Sequence, residues 1–201
     1  MGVASEDLVL FTAGRFVKKK GFEYLIDALG QLAARWPSLR LVIACGGDLD
    51  HELRERARAR GVIDRTRFPG VLAQDDVAAC LAAADLAIVP SVHDDAGNVD
   101  GLPNTVMEAL ASGTPLIATR VGGIPSVVVH AHTGWLVPER DAAALAGALD
   151  RLLRDRETRL ALGRAAREDT LGRRTWATVA AAFERVYDLA ACRAEDRRAR
   201  V

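Results

Sequence analysis

The feature that most constrains this chain is a six-fold alternation of short runs with strand character and longer stretches of helical spacing. Residues 8–12, 39–45, 67–70, 86–89, 115–118 and 134–137 predict six strands. Between the first two, residues 21–36 carry Phe22, Leu25, Ile26, Leu29, Leu32 and Ala33 at the spacing of one helical face. Further helices are predicted over 49–60, 74–83, 103–112, 125–130, 141–153, 157–168 and 173–190. Asp141 is placed to cap the helix that follows it. The run 39–45 is almost wholly apolar, as expected of a strand buried on both faces. Strands and helices in this order predict an α/β fold, a doubly wound parallel sheet with helices on both faces and right-handed crossovers.

In such a Rossmann-like sheet, ligands sit beyond the carboxyl ends of the strands, near the point where strand order reverses. The informative residues should therefore lie just after strands. Four such places stand out: residues 14–20, Gly46-Gly47, residues 91–100 and Gly122-Gly123. Neither an internal repeat nor a low-complexity linker interrupts the pattern. One domain is expected over 1–195, closing with C-terminal helices, with a polar tail at 196–201.

Bulk composition removes several function classes. Lys plus Arg equals Asp plus Glu at 27 each, so the chain lacks the basic excess of a dedicated nucleic-acid binder. Its apolar runs are too short to span a bilayer, and the start of the sequence has no signal-peptide pattern. Cys45, Cys80 and Cys192 are odd in number and far apart, which points away from a disulfide framework or a zinc site and toward a reducing cytoplasm. His51, His93, His130 and His132 show no metal-ligand spacing of weight. Trp36, Trp135 and Trp176 read as core or helix-packing residues. Neither G-x-S-x-G nor a Cys/His dyad is present to support nucleophilic hydrolysis. The glycine-rich dinucleotide fingerprint and the P-loop are missing too.

Residues 90–113 carry the strongest chemical signal. A strand stops at Pro90, a polar loop follows, and Gly101-Leu102-Pro103 opens a helix that Gly113 closes. Asp100 stands before the turn and Glu108 stands inside the helix. Free backbone N–H groups at a helix start attract anions, and carboxylates accept from hydroxyl groups. That pairing suits a ligand with both phosphate and sugar. Glu108 has Val106, Met107 and Leu110 around it, so its carboxylate lies on or beside a packed face and needs a partner. In the first loop, Arg15 and Lys20 are the better candidates for phosphate, while Lys18 and Lys19 are expected to face solvent. A solvated charge run is the ordinary meaning of such lysines, and loop position alone leaves both readings open.

Six segments follow one another in a recognisable order: 14–29, 67–72, 84–91, 100–119, 122–128 and 133–138. Together they resemble the C-terminal, donor-binding domain of retaining GT-B glycosyltransferases of the group 1, or family 4, type. The resemblance covers nearly the whole chain and implies a single GT-B half-domain working in glycan biosynthesis. It implies that Arg15 and Lys20 hold the donor diphosphate. Asp100 and Glu108 match the two acids of an E-x7-E motif, the first beside the transferred sugar and the second on the ribose hydroxyls. It further implies that Gly14, Gly101, Leu102, Pro103 and Asn104 meet sugar and phosphate, and that Val71 and Leu72 lie beside the base. Arg15, Lys20, Asp100 and Glu108 are thus the implied catalytic residues. No metal or other cofactor is implied.

Two positions depart from the family pattern. Asp100 is one methylene shorter than the usual glutamate, and Ser126 stands where a glutamate is usual. The implied partners are a nucleotide-sugar donor and an N-terminal acceptor-binding domain or subunit, with room for peripheral membrane association through that half. The chain by itself is expected to bind donor with little or no transfer. Two other readings fit the same fold: a non-catalytic nucleotide-binding module, and half of a sugar-nucleotide epimerase.

Overall fold

The structure is a computed structural model that describes Ala4 and residues 6–198. Its strands are β1 (Leu8–Ala13), β2 (Leu39–Ala44), β3 (Thr66–Arg67), β4 (Leu86–Val89), β5 (Leu116–Thr119) and β6 (Trp135–Val137). Its helices are α1 (Phe22–Leu32), α2 (Asp50–Ala59), α3 (Gln74–Ala83), α4 (Asn104–Ser112), α5 (Ile124–Val127), α6 (Ala142–Arg154), α7 (Arg156–Arg173) and α8 (Trp176–Arg198). The strands form one parallel sheet in the order β3-β2-β1-β4-β5-β6. Strand order reverses between β1 and β4, which is the switch point where such sheets open a crevice.

The six-residue β1 lies in full register along β2, from Leu8 opposite Leu39 to Ala13 opposite Ala44. Alternate residues of each strand feed two cores. Leu10, Leu41, Ile43, Leu86, Ile88 and Ile117 pack on one face with α1, α2 and α6. Phe11, Val42, Ala87, Val89, Leu116 and Ala118 pack on the other with α3 and α4. Both faces are covered, which is why β1, β2, β4 and β5 are mostly apolar.

Several boundaries differ from those expected. β3 stops at Arg67 instead of starting there, because Pro69 has no N–H to extend a ladder. The basic loop contains a 3-10 turn at Lys18–Lys20. α8 continues past 190, the predicted end, through a stretch free of Gly and Pro. It thereby takes in the start of the expected tail, and residues 199–201 lie outside the described residues. The chain divides into two compact units, Met1–Arg167 and Glu168–Val201, with the division inside α7. Trp36 and Trp135 are part-buried, whereas Trp176, in the second unit, is 89% exposed. Among the described residues, no helix is long and apolar enough to cross a membrane.

Candidate functional site

The two loops at the switch point are fastened to each other before any ligand is considered. Lys19 accepts a hydrogen bond at its carbonyl from the Val92 N–H, at 2.9 Å. Gly21, at φ 64°, lies against the Pro90 carbonyl so closely that a Cβ there would collide with it. Thr105, in the first turn of α4, donates from Oγ1 to the Ala13 carbonyl at 2.8 Å and ties that helix to the end of β1. Pro103 precedes α4 in an extended conformation, and no side chain caps the helix. Its first N–H groups are left to meet whatever lies beyond the strand ends.

A cleft of about 280 Å³ opens at this edge. It is lined by the ends of β1 and β2 (Ala13, Gly14, Ala44, Cys45), by Val71 and Leu72 after β3, by Gln74 and Val77 of α3, and by Asn104, Thr105 and Glu108 of α4. Five sequence-predicted residues therefore share one wall: Gly14, Val71, Leu72, Asn104 and Glu108. Val71 is 81% exposed, an unusual position for an apolar side chain unless something lies over it. Glu108 makes no hydrogen bond or ion pair with any described residue. Burial pushes its carboxyl above the usual carboxylate range.

Lys20 and Asp100 meet beside the cleft. The Lys20 stem crosses Gly14, with Cε 3.3 Å from where a Cβ of that glycine would stand. Its Nζ reaches 2.7 Å from Asp100 Oδ2. Oδ2 is buried and the approach is off the angle of a directed hydrogen bond, so the contact is better described as an ion pair. Lys19 Nζ lies 3.0 Å from Oδ1 of the same carboxylate. Burial alone would raise the Asp100 carboxyl, but Lys20 and then Lys19 outweigh it and hold it below its usual range. Lys19 thus does not simply face solvent as expected: its side chain is only 30% exposed. Lys18 does lie at the surface, paired with Glu52 at 2.6 Å. Arg15 is exposed and forms no ion pair among the described residues.

The remaining predicted residues form the turn into α4. Gly101 and Leu102 are exposed and Pro103 is buried. This turn packs backbone to backbone on the loop after β5. Gly123 N–H donates to the Gly101 carbonyl, and a Cβ on Gly122 would strike the Asp100 carbonyl. Ser126 turns its hydroxyl back on the Gly123 carbonyl at 2.6 Å, within its own turn. Farther along the β4 loop, Glu139 accepts from the His93 N–H at 2.7 Å and from Nδ1 at 2.9 Å. Arg140 donates to the His93 carbonyl, so the segment after β6 holds this loop from outside. His130 Nδ1 accepts from the Leu136 N–H at 3.0 Å, which commits that nitrogen to the fold.

Cys45 and Gln74 line the cleft and Lys19 meets Asp100 beside it, and the sequence placed none of the three at the site. The sequence predicts Cys45 as the last residue of the second strand, whereas β2 ends at Ala44 and Cys45 turns out of it at φ 98°, its N–H donating to the Gly70 carbonyl at 2.7 Å.

A family model described as "Glycosyl transferases group 1" matches residues 2–169. The chain belongs to the group 1 glycosyltransferases. It is 37% identical over 198 residues to a D-inositol 3-phosphate glycosyltransferase of Corynebacterium diphtheriae, covering 95% of this chain and 44% of that protein. It is 38% identical over 168 residues to a GDP-mannose-dependent alpha-(1-6)-phosphatidylinositol monomannoside mannosyltransferase of Mycobacterium tuberculosis, covering 83% of this chain and 44% of the relative. Among solved structures, a sucrose-phosphate synthase from Thermosynechococcus elongatus superimposes with a TM-score of 0.80 at 31% identity, over 94% of this chain and 46% of its own. The group 1 chain described here thus spans less than half the length of these relatives, matching their C-terminal part, and its sheet is the Rossmann-like half of a GT-B structure.

Proposed function

We propose that this chain is the donor-binding half of a retaining glycosyltransferase that uses a nucleotide-diphosphate sugar. The observation that carries the reading is Glu108, a part-buried carboxylate in the cleft wall with no partner among the described residues. An ionised carboxylate in such a place needs donors, and the two ribose hydroxyls of a nucleotide supply them. Val71 and Leu72 then flank the base, and the turn 101–104 meets sugar and phosphate. Arg15, Lys20 and the start of α4 stabilise the charge that develops on the leaving diphosphate. The anomeric carbon left behind has oxocarbenium character, and Asp100 is the acid this reading assigns beside it. The cations take the part that a metal ion plays in other diphosphate sites, so transfer proceeds without one.

The relatives' names support sugar transfer and, for one of them, a GDP-mannose donor. Acceptor selection belongs to the portion of the longer relatives that this chain does not match. The 201-residue chain binds donor nucleotide and transfers sugar weakly or not at all. Titration calorimetry with UDP, GDP and ADP, repeated on Arg15→Ala and Glu108→Ala, tests the reading. One nucleotide should bind, and both substitutions should weaken it. Failure of all three to bind would sink the proposal, as would robust transfer by the purified chain for the half-domain assignment.

A further inference from the structure

The cation cluster beside the cleft holds one more member than the family pattern supplies. Lys19 and Lys20 converge on the two oxygens of Asp100, at 3.0 and 2.7 Å, and their side chains are 30% and 19% exposed against 13% for the carboxylate. Counting Arg15, which the reading above assigns to the diphosphate but which makes no contact with Asp100, three cations stand against one carboxylate charge and leave two positive charges over. A nucleotide-sugar diphosphate carries one negative charge on each phosphate, so it balances the cluster only if Lys19 is counted.

The members differ in freedom. Asp100 is fixed, because Gly122 and Gly123 press on the backbone of residues 100 and 101 with no space for a side chain between. Each lysine carries its charge on a flexible four-carbon stem and can turn from one anion to another. The Lys19 backbone is itself anchored to Val92, so its ammonium swings from a fixed point.

We infer that Lys19 is a third cationic ligand of the donor diphosphate, and that the diphosphate and the Asp100 carboxylate compete for the same two lysines. The inference rests on the nucleotide-sugar reading above. Its consequence runs against ordinary expectation for an acid in a binding site. Removing the Asp100 charge frees both lysines and removes a like charge near the phosphates. Damage to the fold would weaken binding, so tightening cannot come from damage.

The test is calorimetry with whichever of UDP, GDP and ADP binds the wild-type chain best, on Asp100→Asn, Lys19→Gln, Lys19→Arg and Glu108→Ala. Asp100→Asn should tighten the nucleoside diphosphate about three- to fivefold, and Lys19→Gln should weaken it by about the same factor. Lys19→Arg should restore most of the loss, and Lys19→Gln should also flatten the dependence of affinity on salt. If the wild type binds and Glu108→Ala weakens it, yet Asp100→Asn fails to tighten or Lys19→Gln changes nothing, the inference falls and the donor-site reading stands. If the wild type binds no nucleoside diphosphate, both fall.

Discussion

The backbone carbonyl of Asp100 packs directly against Gly122, which sits at φ 52° with no room for a side chain. Two loops from neighbouring strands thereby fix the position of one acid. Alanine at 122 would meet both the carbonyl and an unfavourable left-handed backbone. Gly122→Ala should lower stability by about 1–3 kcal/mol and displace Asp100 from the lysines. Urea unfolding read beside nucleotide calorimetry checks both effects. A variant with unchanged midpoint and unchanged affinity would show that the contact positions nothing.

Glu108 sets binding against stability. Its raised carboxyl reflects burial of a charge that finds no partner among the described residues. A raised folded-state value means that the favourable contribution is present at low pH and is lost as pH rises through it. At pH 7 the ionised group therefore costs stability, and Glu108→Gln should stabilise the protein by up to about 1 kcal/mol while weakening nucleotide binding. The gain should shrink toward zero near about pH 4, where both side chains are neutral in the folded protein. Urea midpoints at the two pH values decide the point. A destabilising Glu108→Gln at pH 7 would mean that the carboxylate has a structural partner.

Much of this was legible in the sequence, for a physical reason. Strands covered on both faces are apolar along most of their length, so residues 39–44, broken only by Arg40, and 86–89 announce a parallel sheet without any contact being known. The sheet then places the loops, and strand ends locate Gly14, Asn104 and Glu108 at one cleft. Lys19 was not legible. Its pairing with Asp100 joins loops far apart in sequence, and a run of three lysines gives no sign of which one turns inward. The short β3 was legible in principle, since Pro69 cannot extend a ladder.

Asp27 anchors α1 to α2 from a position well away from the cleft. Arg56 approaches it through two guanidinium nitrogens, and Arg60 donates from Nε at 2.8 Å. Burial works to raise the Asp27 carboxyl, but the two arginines outweigh it and bring it below its usual range. A depressed value stabilises the fold above the unfolded carboxyl's own pKa, and that contribution is lost as pH falls through the folded one. Asp27→Asn should cost about 1–2 kcal/mol at pH 7, because the arginines lose their counter-charge in a part-buried place. As pH falls below the usual aspartate value of about 4 the deficit should begin to close, and it should go on closing as pH falls further. Thermal unfolding of both proteins across that range reads it directly, and a deficit independent of pH would assign the loss to packing.

Glu139 and Arg140 hold the β4 loop chiefly through His93, with a longer contact from Arg140 to Asp95 at 3.5 Å. The carboxylate accepts from both the His93 N–H and Nδ1, and the Arg140 guanidinium donates to the His93 carbonyl. Burial pushes the Glu139 carboxyl up slightly against these contacts, and the bonds from His93 bring it down overall. Beyond His93, Asp94 and Asn98 close a small turn of their own, which touches the segment after β6 through Asp95 and Arg140. Loss of Glu139 should therefore release residues 92–99 without unfolding the sheet behind them. In Glu139→Ala, amide hydrogen exchange should speed up at Val92 and His93 and stay as in the wild type in β4 and β5. The same variant should bind nucleotide with little change, because neither Glu139 nor His93 lines the cleft. Exchange that quickens across β4 as well would mean that the clamp supports the sheet and not just its loop.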